Sequence, residues 1–287
     1  MTDSCKRWPK WLLEQATAPP PEGCEGLIVP DSTPVVSFGN PMQATVATIG
    51  LNPSALEFLE SWGGPMLPED QRRLAVRESA EISDCRLGAK ILDGCAGYFG
   101  RNPYEGWFLP LDCILRTGAR ASYYADTRFN ARYLDLACHI DLSPWATSDS
   151  WTTLKRGGIH KKLLADKLSS LRQLISQGHY RLVIINGSGV KEEMDDFQFL
   201  SINWCDLKPL EKEQCKHTKQ KQCEQERCKP GAKLHEAVCG DTLFLAWSCN
   251  IQRQRGADRH IPELARFVAE RYDKFLRDNS QNERRTT

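Results

Sequence analysis

Four polar clusters, each directly after an apolar run, hold the residue types in this chain that could do chemistry. Leu51-Asn52-Pro53-Ser54 brings a side-chain amide and a hydroxyl to a turn, and Asp141-Leu142-Ser143-Pro144 brings a carboxylate. Gly187-Ser188-Gly189 is the third cluster. The fourth, Ser248 to Gly256, carries Asn250, Arg253 and Arg255, with Arg259 just beyond. An ionised carboxylate only accepts hydrogen bonds, so Asp141 suits a ligand edge that donates. Clustered arginines suit a phosphate backbone, gripping it or wedging into a duplex. Each residue also has a bland role: Asn-Pro is an ordinary turn former, Asp141 can cap the turn after it, and exposed arginines are usually just solvated.

A further set lies in the charged stretch 205–240, where Cys215, His217, Cys223, Cys228 and Cys239 are of the types that bind zinc. They lack a Cys-x-x-Cys pair, so a polar insertion with incidental cysteines is expected, with zinc as the alternative and no other metal or cofactor. The remaining cysteines are scattered, and in a reducing compartment such residues behave as small buried hydrophobes.

The elements that must position the clusters are legible from periodicity. The β-branched run 44–49, bounded by Pro41 and Gly50, predicts a buried parallel strand. Further strands are expected at 135–141, 181–186 and 242–247, and helices at 55–62, 68–96, 160–177 and 261–278. Residues 1–33, with Ala18-Pro19-Pro20-Pro21, read as an irregular N-terminal arm. The alternation predicts an α/β fold with three α/β/α layers and a central parallel four-stranded sheet. Loops at the carboxyl ends of such strands are where ligands bind, and all four polar clusters fall there.

Composition narrows the class. The chain has 287 residues, 40% hydrophobic and 26% charged, as a globular domain should. Its formal net charge of +1 argues against coating nucleic acid by bulk charge and leaves room for one local basic groove. No apolar run is long enough to span a bilayer and no signal-peptide core is present, so a cytoplasmic protein without a membrane partner is expected.

Phe38-Gly39-Asn40-Pro41, a strand, and then Gly50-Leu51-Asn52-Pro53-Ser54 resemble the first motif of the uracil-DNA glycosylase superfamily, in its Gly-x-Asn-Pro branch. Tyr98-Phe99, Asn102-Pro103-Tyr104 and Trp107-Phe108 are similar to that family's aromatic segment. His139 to Pro144, Gly187-Ser188 and Ser248 to Gly256 follow in the family's order, so the resemblance covers 38–275 apart from the insertion. It implies one glycosylase-like domain over 1–287, binding DNA as a monomer without a cofactor. A base flipped from the helix would enter a pocket, and its N-glycosidic bond would be hydrolysed through an oxocarbenium-like sugar. By resemblance Asn52 holds the attacking water, and Gly50, Leu51, Pro53 and Ser54 form the base pocket with the aromatics Phe58, Trp62 and Phe99. Gly187, Ser188, Ser248, Asn250, Arg253 and Arg255 would contact phosphate or duplex.

Asp141 departs from the family, which usually has Asn there. That Asn reads uracil, with its N3 donor and O4 acceptor. Cytosine presents an N3 acceptor and an N4 donor, which a carboxylate suits, and a protonated Asp could also donate to N3. A register shifted by two would put His139 in the pocket instead. The second motif also lacks the family's His. Excising ordinary cytosine would destroy the host genome, so the resemblance implies a modified cytosine, such as the glucosylated hydroxymethylcytosine of phage DNA, and an antiviral role. The alternatives are a uracil repair glycosylase, a non-catalytic DNA-binding protein and a metal-binding module.

Overall fold

The computed structural model describes residues 6–77, 84–124, 134–165, 168–198, 202–210, 232–252 and 260–286. The four expected strands are present: β1 (Val46–Gly50), β3 (Asp135–Asp141), β4 (Leu182–Asn186) and β7 (Thr242–Trp247). They lie side by side and parallel in the order β3-β1-β4-β7. The four-stranded expectation is nevertheless too small. A short β2 (Ala121–Ser122) extends one edge, while β6 (Leu234–Cys239) and β5 (Cys205–Leu207) add antiparallel strands to the other, giving a seven-stranded mixed sheet. The two ends of the stretch 205–240 are therefore sheet. They escaped notice because the edge strand β5 and its neighbour β6 are short and largely exposed, and so read as polar.

Every residue of β1 and β4 is buried. Successive strand residues face opposite sides, so unbroken burial requires cover on both faces. The cover comes from eight helices among the described residues: α1 (Lys10–Thr17), α2 (Asp84–Ala96), α3 (Glu105–Gly118), α4 (Trp151–Arg156), α5 (His160–Ala165), α6 (Leu168–Gln177), α7 (Ser188–Asp196) and α8 (Ile261–Thr286). α8 packs on α3 and buries Leu264, Val268, Tyr272 and Phe275, an apolar stripe at helical spacing. α6 stops where expected, with Gly178 N–H donating to Leu174 O at 2.9 Å. No described helix is long and apolar enough to cross a membrane.

Four further expectations need correction. The N-terminal arm is not irregular throughout: α1 lies within it and buries Leu12, Leu13 and Ala16. Residues 55–62 form only a 3-10 turn, Ala55–Glu57, because the chain folds back through a bridge between Leu59 and Met66. Among the described residues of 68–96 only the turn Glu69–Gln71 and α2 are helical; Arg77 N–H donates to Asp31 O and Val76 bridges Ser32, which ties residues 76 and 77 to the arm instead. Nor are the scattered cysteines uniform. Cys24, Cys95, Cys138 and Cys249 are buried, Cys113 is exposed and Cys85 is disulfide-bonded.

Candidate functional site

β1 and β3 are neighbours in parallel register, with Gly50 beside Asp141 and Thr48 beside His139. Their hydrogen bonding runs on past the strand ends, where Leu142 N–H donates to Gly50 O (3.0 Å) and Ser143 N–H to Leu51 O (2.9 Å). Alternation puts Thr48, Gly50, His139 and Asp141 on one face. Chain order reverses at β1, which has β3 on one side and β4 on the other. That is the kind of point where open α/β sheets bind ligands.

A cavity of about 250 Å3 opens at these strand ends. Asn52, Pro53, Ser54 and Asp141, all expected site residues, line it. Asn52 is oriented by two acceptors: its Nδ2 donates to Pro53 O (3.0 Å) and to Thr147 Oγ1 (3.1 Å), whose own proton goes to Asp149 O. No described residue donates to its amide oxygen, which is left as an acceptor. Ser54 has a different task, since its hydroxyl accepts from Leu56 N–H and starts the 3-10 turn.

Asp141 rather than His139 reaches the cavity. His139 sits behind it, 2% exposed, with Nε2 3.2 Å from Asp141 Oδ1 and Nδ1 2.7 Å from Thr48 Oγ1. Tyr123 Oη closes the chain at 2.5 Å from Thr48 Oγ1. An accepting carboxylate fixes the sense: Tyr123 donates to Thr48, Thr48 to Nδ1, and Nε2–H to Asp141. Oδ1 is thus occupied from below, and Oδ2 is left for a ligand. Gly50 makes this arrangement possible, because a Cβ there would sit 2.3 Å from Asp141 Oδ1 and 2.7 Å from His139 Nε2.

Phe58 and Phe99 do not line the cavity. Both are buried in the core, and one face of Phe99 is stacked on Tyr123 at 4.8 Å. The aromatic lining is Phe38, Trp62, Tyr104, Trp107, Phe108 and Trp151, of which Trp62, 53% exposed, stands at the mouth. Gly187, Ser188, Ser248 and Asn250 do come together beside the site. Ser188 N–H donates to Ser248 O (3.2 Å), and Gly187, at φ +104°, passes so close to Asn250 that a Cβ would lie 3.3 Å from that residue's Cβ. None of the four lines the cavity. Arg253, Arg255, Cys215, Cys223 and Cys228 lie outside the described residues, and Cys239 is exposed on β6.

Two of the lining residues that were not anticipated bear directly on the chemistry. Gln252 faces the cavity in place of Asn250; Asn186 Nδ2 donates to its Oε1, and its Nε2 donates to Trp107 O at 3.0 Å. Glu57 is the other. It is 3% exposed, its Oε2 accepts from Tyr98 Oη at 2.8 Å, and burial pushes its pKa from 4.5 up to about 7 against the pull of that hydrogen bond and of Arg73, with Asp141 adding to the rise. No local pattern separates Glu57 from the exposed Glu60 three residues on. The signal is tertiary, a tyrosine hydroxyl 41 residues away.

A carboxyl whose folded pKa is raised keeps a proton that the unfolded chain releases, so stability is full below pH 4.5 and falls as pH rises towards about 7. At roughly 1.4 kcal/mol per pKa unit the loss is about 3 kcal/mol. Glu57→Gln removes the titration. Urea unfolding of both proteins should therefore show the variant gaining on the wild type by about that amount between acid and alkaline pH; parallel curves would mean that Glu57 titrates normally.

Comparison of the chain with protein-family models, characterised proteins and solved structures gives no match.

Proposed function

We propose that this protein is a monofunctional DNA glycosylase that takes a flipped, modified cytosine into the 250 Å3 cavity and hydrolyses its N-glycosidic bond. The observation that carries this reading is the convergence of a free amide oxygen on Asn52 and a free carboxylate oxygen on Asp141 on one aromatic-lined cavity at the carboxyl ends of β1 and β3. The first holds water towards the anomeric carbon. The second accepts from an exocyclic amine, which cytosine has and uracil lacks.

The mouth supports a sugar-bearing base. Exposed Trp62 and Tyr104 offer flat faces for a hexose, and Asp149 and Ser150 line the same cavity and can bond hydroxyls. A glucosylated hydroxymethylcytosine, as in phage DNA, suits that combination, and its excision would be an antiviral act. A cationic cleft for flanking phosphates lies one residue from Arg73. There Arg72, Arg86, Lys90 and Arg101 line a cavity of about 620 Å3 together with Glu69 and Asp93, the latter already bonded by Trp8.

The test is base release from matched DNAs carrying uracil, cytosine, hydroxymethylcytosine or its glucosylated form. Only a modified cytosine should be released. Asp141→Asn should slow that release by roughly 10- to 100-fold, the cost of a mismatched buried hydrogen bond. Release of uracil alone would make the protein an ordinary repair enzyme; tight DNA binding with no release would make it a non-catalytic binder.

A further inference from the structure

We propose that Glu57 is the general acid of this site, handing a proton to the base as it departs. The assignment rests on the glycosylase reading and adds the group that the reading lacks. Uracil can leave as an anion shared over two carbonyl oxygens, whereas cytosine has one carbonyl and an amine, and so departs far better once protonated. The start of the loop after β7, where the resembling family carries a histidine, reads Ser248-Cys249-Asn250-Ile251-Gln252 and has none there.

The hydrogen bonds around Glu57 decide where its proton sits. Tyr104 N–H donates to Tyr98 Oη (2.9 Å), which commits the tyrosine's own proton to Glu57 Oε2 (2.8 Å). With Oε2 held as an acceptor, the acid proton belongs on Oε1, on a side chain that lines the cavity with Asn52 and Asp141. Burial keeps that proton in place up to about pH 7, so the acid is loaded under neutral conditions. Asp141 lies near enough to add to that effect, so an acceptor for N4 and a donor for the adjacent N3 come from neighbouring side chains.

The step balances. The bond between C1′ and N1 breaks and its electron pair passes into the base ring, while the proton on Glu57 Oε1 moves to N3. The water on Asn52 forms the new C1′–O bond and loses a proton, which returns through solvent to the Glu57 carboxylate. The products are neutral cytosine base, an abasic sugar and the enzyme as it began.

The experiment is single-turnover release of the modified cytosine as a function of pH. The wild-type rate constant should be flat in acid and fall about tenfold per pH unit above about 7. Glu57→Gln should be slower by roughly 10^2- to 10^4-fold and should lack the alkaline fall. Tyr98→Phe removes a hydrogen bond that favours the ionised carboxylate, so it should move the fall to higher pH, a shift that simple damage to the fold would not produce. A Glu57→Gln variant with the wild-type rate and profile, or a Tyr98→Phe variant with an unmoved fall, would overturn the assignment alone. No release by the wild type from any DNA would overturn the glycosylase reading and this assignment with it.

Discussion

Gly50→Ala is expected to cost base release at least roughly 100-fold, because a misplacement of about 1 Å at a reacting centre is enough for that loss. The added methyl would lie 2.3 Å from Asp141 Oδ1 and 2.7 Å from His139 Nε2, distances that real Cβ atoms do not occupy. Neither neighbour yields easily. His139 is held by Thr48 on its other ring nitrogen, and Asp141 is the last residue of β3, fixed by its ladder to β1. The carboxylate must swing out of its place, with an overpacking cost of about 1–3 kcal/mol. Single-turnover release together with DNA-binding titration checks this: release should fall while binding survives. Unimpaired release would mean that Asp141 can turn aside without consequence and is not the reader of the base.

Asn52→Ala should slow release by on the order of 10^2- to 10^3-fold with DNA affinity nearly unchanged, since in the proposed reaction the lost group acts on the water and not on the strand. The orientation of the amide supports that magnitude, because Pro53 O and Thr147 Oγ1 both hold its NH2 and so point its oxygen elsewhere. Asn52→Asp should recover part of the loss, because a carboxylate can both hold the water and take its proton. If alanine and asparagine give equal rates, Asn52 is a turn former and nothing more.

The parts of the fold that could be read in advance are those whose pattern is local. β1, β3, β4 and β7 are runs of apolar and β-branched residues ended by turn formers, and each lies where that pattern put it. Asn52 and Asp141 were visible because they stand at such ends. β5 and β6 were not, because strands at the exposed end of a sheet need little apolar surface and theirs is interrupted by Asp206, His235 and Glu236. Glu57 was missed and Phe58 misplaced for a shared reason. In a segment too irregular to have a period, neighbours take up burial and direction from distant partners, so the acid faced the cavity and the aromatic ring went to the core.

In the proposed reaction the base reader, Asp141, ends β3, and the water holder, Asn52, lies two residues past the end of the paired strand β1, so a sheet with strands about 4.8 Å apart anchors both. The mouth is different: Trp62, Tyr104, Asp149 and Ser150 stand outside every strand and helix of the fold. Such positions tolerate exchange and insertion, whereas strand ends in register do not. If the protein is the glycosylase proposed above, its substrate range can therefore drift quickly under selection from a changing adversary, with each new decoration on the base met at the rim while the bond-breaking floor stays as it is.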